Sequence, residues 1–166
     1  MTPVALALAC LLPTAQPPQV PRTVPAAATL TVAGAVTTPL TLTPADLAAL
    51  PRTRIELKDG AKTTVYEGVL VGEILAKAGV PLGAGLHGQD LTRAVLAGAA
   101  DGYRVTFSVG ELDPALSRSE ILVADTVDGH PLPETQGPLR LVVPRDSRGA
   151  RSVRMLQRLD VILVKP

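Results

Sequence analysis

Proline and glycine punctuate this chain so often that long helices are excluded. Sixteen prolines and fourteen glycines are spread over 166 residues; each proline removes a backbone donor, and glycine favours turns. The segments between them are short, which suits strands joined by dense turns. Hydrophobic residues make up 46% of the chain, enough for a packed core, so a disordered tail or a fibrous repeat is excluded as well. A chain of this length suits one compact domain.

Charge and cysteine content narrow the function classes. Sixteen Lys and Arg stand against fifteen Asp and Glu, a balance unlike that of proteins whose main partner is bulk nucleic acid or an anionic membrane. Any anion site must be local. The single cysteine, Cys10, excludes an internal disulfide framework and any multi-cysteine metal cage. His87 and His130 stand beside no second ligand on a helix, so both are read as structural.

Residues 1–28 differ from the rest, with Arg22 as their one charge and six of the sixteen prolines. Val4 to Leu12 is a short apolar run followed by Thr14-Ala15-Gln16. This reads as the core and exit of a secretory signal, although no positive residue precedes it. The run is far shorter than the ~20 residues of a spanning helix, so no transmembrane span is expected. Gln16 to Ala28 reads as a Pro/Ala-rich tether. The folded domain is placed at 29–166 and the protein in the periplasm or outside the cell.

From Thr29 onward the pattern is that of short elements. Leu30 to Ala33 alternates as a half-buried strand does, and Leu40 to Leu42 follows as a second. Thr43-Pro44-Ala45-Asp46 supplies an N-cap, a first-turn proline and an acid for a helix reaching about Leu50. Thr53 to Leu57 and Thr63 to Tyr66 flank Asp59-Gly60 as a hairpin. Leu70 to Gly79 carries apolar residues at helical spacing and closes on glycine. Leu91 to Ala99 fits a helix or a strand, and Asp101-Gly102 before the alternating Tyr103 to Phe107 favours a hairpin. A brief helix within 108–116 and strands at Ile121 to Ala124, Leu139 to Val143 and Leu159 to Val164 complete the reading. The expected fold is α+β, a mixed sheet of short strands with two or three short helices.

Three stretches that resemble functional motifs have plainer readings. Asp125 to Gly129 lacks the third acid and distal glutamate of a calcium loop and reads as a turn. Ser108, His130 and Asp113 have no glycine-flanked serine elbow between them. Tyr66, Tyr103 and Phe107 are too few for a base-stacking platform and are read as core.

The fourth stretch is stronger. Arg145 to Arg158 holds five arginines and one acid in fourteen residues, with Gly149 among them. Guanidinium groups present planar donor forks that fit phosphate oxygens, and a glycine turn can aim backbone N–H groups at the same anion.

Taken in order, several segments resemble the molybdopterin-binding domain of sulfite-oxidase-like oxidoreductases, over roughly Leu30 to Leu163. The resemblance begins at Val32 to Val36 and Tyr66-Glu67-Gly68-Val69-Leu70. It continues through Glu111-Leu112-Asp113-Pro114 and Asp128 to Pro133, and ends at Gln136 to Pro144 and Gly149 to Arg154. It implies a sulfite-oxidase-like fold, a molybdopterin (molybdenum) cofactor, and Arg140, Arg151, Ser152 and Arg154 as cofactor-contacting residues on one cleft. Gln136 stands where some members have histidine. Family enzymes hold the metal through a cysteine near the end of the strand before Gly68, where this chain reads Arg54 to Lys62 without one. A thiolate shapes the potential and geometry of such a centre, so no metal ligand and no catalytic residue is assigned.

Three readings stay open: an exported binding module without the metal-ligating cysteine, a molybdenum-dependent oxidoreductase with an atypical ligand and an outside electron-transfer partner, and a structural or protein-interaction domain. The sequence leaves the oligomeric state unknown.

Overall fold

A computed structural model describes residues 29–59 and 61–164. The expected leader and tether lie outside the described residues. The chain runs β1 (Leu30–Gly34), β2 (Leu40–Leu42), α1 (Pro44–Ala48), β3 (Arg52–Asp59), β4 (Lys62–Leu70) and α2 (Val71–Lys77). It continues with β5 (Arg93–Ala99), β6 (Arg104–Ser108), α3 (Val109–Leu112), β7 (Leu122–Val127), β8 (His130–Pro131), β9 (Arg140–Val142) and β10 (Leu156–Leu163).

The α+β class is as expected, but the strands divide between two sheets where one mixed sheet was expected. The first has the order β2-β1-β10-β5-β6, and the second β3-β4-β7-β8 with β9 also paired to β7. Among the described residues, only the β1–β10 pairing is parallel. Tight turns of two to four residues return the chain antiparallel at β3–β4, β5–β6 and β7–β8, and the parallel pair joins strands from opposite ends of the domain. The 93–99 segment is a strand, hairpinned onto β6 in the register Val95↔Phe107.

Local chemistry sets the helices. Thr43 Oγ1 accepts the Asp46 N–H at 3.2 Å while Asp46 Oδ2 accepts the Thr43 N–H at 2.8 Å, a capping box that starts α1. In α2, Val71, Ile74 and Leu75 are buried together with the C-cap Ala78, the stripe expected from their spacing.

The main core packs Leu30, Val32, Val95, Phe107, Leu159 and Val161 of the first sheet with residues of α2 and with Val69, Val123 and Leu141 of the second. A second cluster, Ile55, Tyr66, Leu122, Ala124, Leu132 and Val142, covers the opposite face of the second sheet. Successive strand residues point to opposite faces, so Leu141 joins the main core while Val142 joins the second cluster. Each fully buried Val or Leu contributes about 1.5–3 kcal/mol. At Gly68 the strands come so close that a Cβ would stand 2.0 Å from the Val123 carbonyl oxygen, so only glycine lets β4 lie against β7 there.

Candidate functional site

Alternation along β9 decides where Arg140 points. Leu141 occupies the main core, so Arg140 shares the Val142 face, the one that carries Tyr66. Arg140 Nη1 donates to the Tyr66 hydroxyl at 2.8 Å and to Gln136 Oε1. Its Cζ lies 5.1 Å from the Tyr66 ring centroid, within cation–π range. The Tyr66 hydroxyl in turn reaches Gln136 Oε1 at 3.5 Å.

No carboxylate touches this guanidinium among the described residues. Burial pushes the Arg140 pKa down; Tyr66 opposes that shift, and the positive charge of Arg154 adds to it. Arg140 Nε is buried and has no hydrogen-bond partner among the described residues. With Nη1 committed, the Nε–H and Nη2–H edge remains, and its parallel donors match two oxygens of one carboxylate or phosphate. A buried donor without an acceptor costs about 1–3 kcal/mol, and a bound oxyanion removes that cost.

The other residues expected to contact a cofactor divide into those gathered here and those held elsewhere. The Gln136 carbonyl accepts the Met155 N–H at 2.9 Å, where Met155 takes the left-handed backbone conformation with φ +49°. This tie brings the exposed Arg154 beside the Gln136 loop, close enough for its charge to act on Arg140. Ser152 is buried, and its Oγ accepts the Val143 N–H at 3.1 Å, fastening the 152–156 segment to the strand.

Arg151 is held in another setting. Its Nε and Nη2 grip Asp146 at 2.8 and 2.6 Å, its Nη1 meets Glu111 Oε1 at 3.0 Å, and its Cζ lies 5.0 Å from the Phe107 ring. Asp146 and Glu111 raise its pKa. Arg140 stacks on a ring of the second cluster and Arg151 on a ring of the main core, and every fork of Arg151 has a carboxylate partner. The expected convergence of both arginines on one open cleft therefore reduces to Arg140, Arg154 and Gln136. Tyr66, read from sequence as core, belongs to both worlds: its ring is buried and its hydroxyl bonds Arg140. The available signal was a tyrosine at a buried strand position, since a buried phenol needs a partner.

The free Nε–Nη2 edge of Arg140 fits an oxyanion-bearing group. Among the described residues no three His, Cys, Asp or Glu side chains come together. As the expected hairpin, β3 and β4 pair without interruption from Arg52↔Val69 to Asp59↔Lys62. No helix among the described residues is long and apolar enough to cross a membrane.

The family model of the oxidoreductase molybdopterin binding domain matches residues 17–165. Among solved structures, the sulfane dehydrogenase SoxCD from Paracoccus pantotrophus is similar over 81% of this chain, with a TM-score of 0.64 and 23% identity. At that identity the likeness is one of fold, and this chain spans 38% of the SoxCD chain. No curated protein matches the chain.

Proposed function

This chain belongs to the oxidoreductase molybdopterin binding domain family, and from that premise we propose that it is an exported binding module that takes the phosphate-bearing end of a pterin-type ligand without a thiolate-ligated metal. The observation that carries this reading is the buried, unpartnered Nε of Arg140. Arg140 would hold two ligand oxygens, Gln136 and Tyr66 would fix its plane, and Arg154 would add charge at the rim. Ser152 would support the site by fastening the segment that carries Arg154. Molybdopterin supplies redox chemistry to proteins that ligate its metal; here the ligand would be retained by its oxyanion. Export rests on the apolar run Val4 to Leu12 and the exit after it, and finding the mature protein in the cytosol with that run intact would oppose it.

The test is thermal unfolding of the full chain with inorganic phosphate and with a phosphorylated pterin. Both should raise the Tm of the wild type, the pterin more, and Arg154→Ala should lose most of the gain while unfolding at nearly the wild-type temperature without ligand. Equal Tm values with and without both ligands would reject the reading.

The family match also favours a second reading, a molybdenum-dependent oxidoreductase with an atypical ligand and an external electron partner. Stoichiometric molybdenum in protein matured in a cofactor-producing host would decide for it.

A further inference from the structure

The ends of several elements enclose a cleft of about 350 Å³ that the Arg140 site does not use. Its floor is apolar, made by Leu70 at the end of β4, Leu112 at the end of α3 and Ile121 just before β7. Around that floor stand two cations, Arg118 and Arg145, and two carboxylates, Glu73 and Glu120. None of the four forms an ion pair among the described residues. Both signs of charge are therefore open to a guest.

The walls are built, which separates this cleft from an accidental dent between loops. Asp146, next to Arg145, is gripped by Arg151, which also holds Glu111, next to Leu112. That staple ties the wall carrying Arg145 to the wall carrying Leu112. The loop bearing Arg118 is pinned by Asp113, which is 1% exposed. Its carboxylate accepts the Gly83 N–H at 2.6 Å and the Ala115 N–H at 2.8 Å, and its carbonyl accepts the Ser117 N–H at 2.8 Å. Gly72, also on the lining, is held against the end of α3, where a Cβ would stand 2.8 Å from the Leu112 carbonyl oxygen.

We propose that this cleft binds a small zwitterion, an ammonium and a carboxylate carried on an apolar body of amino-acid or dipeptide size. A simple anion leaves Glu73 and Glu120 facing it with like charge, and a simple cation does the same with Arg118 and Arg145. A ligand with one charge of each sign satisfies both pairs, and an apolar body matches the Leu70, Leu112 and Ile121 floor. The volume is at the small end of the range for ligand sites and suits a molecule of that size. This site is independent of the oxyanion site at Arg140.

The experiment is a titration of the full chain with leucyl-leucine, followed by the methyl NMR signals of Leu70, Leu112 and Ile121. Saturable shifts confined to these methyls are expected. Acetylating the amine or amidating the carboxylate should each weaken binding about tenfold, the loss of one charge-assisted contact. Arg145→Gln should weaken the free acid to the level of the amide and leave the amide unchanged. Glu73→Gln should behave likewise toward the acetylated form. The absence of saturable shifts, or equal binding of free and capped dipeptides by the wild type, overturns the proposal. Phosphate titrated in parallel should raise the Tm through the Arg140 site without shifting the Leu70, Leu112 and Ile121 methyls, so failure of one site is read apart from failure of the other.

Discussion

Arg140 and Arg151 lie eleven positions apart, each over an aromatic ring, yet they occupy opposite electrostatic settings. Arg151 stands over Phe107 with Asp146 and Glu111 on its donors, and these carboxylates raise its pKa. Arg140 stands over Tyr66 with neutral partners only and a buried Nε left over, and burial lowers its pKa. Satisfied charge stabilises the fold, whereas unsatisfied buried charge costs stability and is relieved by a ligand. The comparison gives Arg151 structural work and leaves Arg140 the open donor edge on which the proposed binding rests, although the two are alike on paper.

Removing Arg151 should give the largest effect. Its side chain is 37% exposed, so solvent screening tempers the ion pairs; Arg151→Ala should still cost about 1.5 kcal/mol, because two carboxylates lose their partner together. Urea unfolding measures this, and a loss below about 0.3 kcal/mol would break the contrast with Arg140. Part of the loss should vanish in 1 M salt, where the Debye length is about 3 Å.

A third arginine sharpens the comparison through pH. Arg52 on β3 reaches across β4 to Asp125 on β7, both contacts 2.6 Å. Burial opposes ionisation of Asp125, but the hydrogen bonds from Arg52 and Thr126 outweigh it and its pKa is lowered. A carboxylate with a lowered folded pKa contributes stability above its unfolded value, about 3.9, and loses it as pH falls through the folded value. The stability gap between wild type and Asp125→Asn, about 1 kcal/mol near neutrality, should hold between pH 7 and 5 and shrink below about pH 4. A gap unchanged at pH 3 would show that the pair contributes packing rather than charge.

Arg140→Met should give the smallest effect on the unliganded fold, within about 1 kcal/mol of the wild type and in the stabilising direction, since an apolar chain of similar length replaces a half-buried charge that has neutral partners only. Tyr66 keeps Gln136 within reach. The same variant should lose the Tm rise given by phosphate. A large destabilisation would place Arg140 in the same structural role as Arg151.

The elements were legible where local chemistry fixes them. The capping box at Thr43, the apolar stripe of α2 and the Asp128-Gly129 turn, with φ of +47° and +78°, fall where residue types required. The ambiguous 91–99 segment was resolved by its neighbours, because Asp101-Gly102 returns the chain onto β6. The division into two sheets was not legible, since alternation shows that a strand has a buried face and not which sheet it joins. The family pattern singled out Gln136 and Arg140, which the structure brings together; it did not single out Tyr66, because a lone tyrosine in a strand reads as core until its hydroxyl partner is known.

The sequence by itself determined short strands around small helices, one local arginine-rich segment and a family pattern reaching from Val32 to Arg154. Which arginine is open and which is closed was decided only by the tertiary structure. Charge is written into the sequence residue by residue, but its compensation depends on what stands within about 3 Å. Glu111, forty positions from Arg151, and Tyr66, seventy-four from Arg140, arrive there only when the sheets pack.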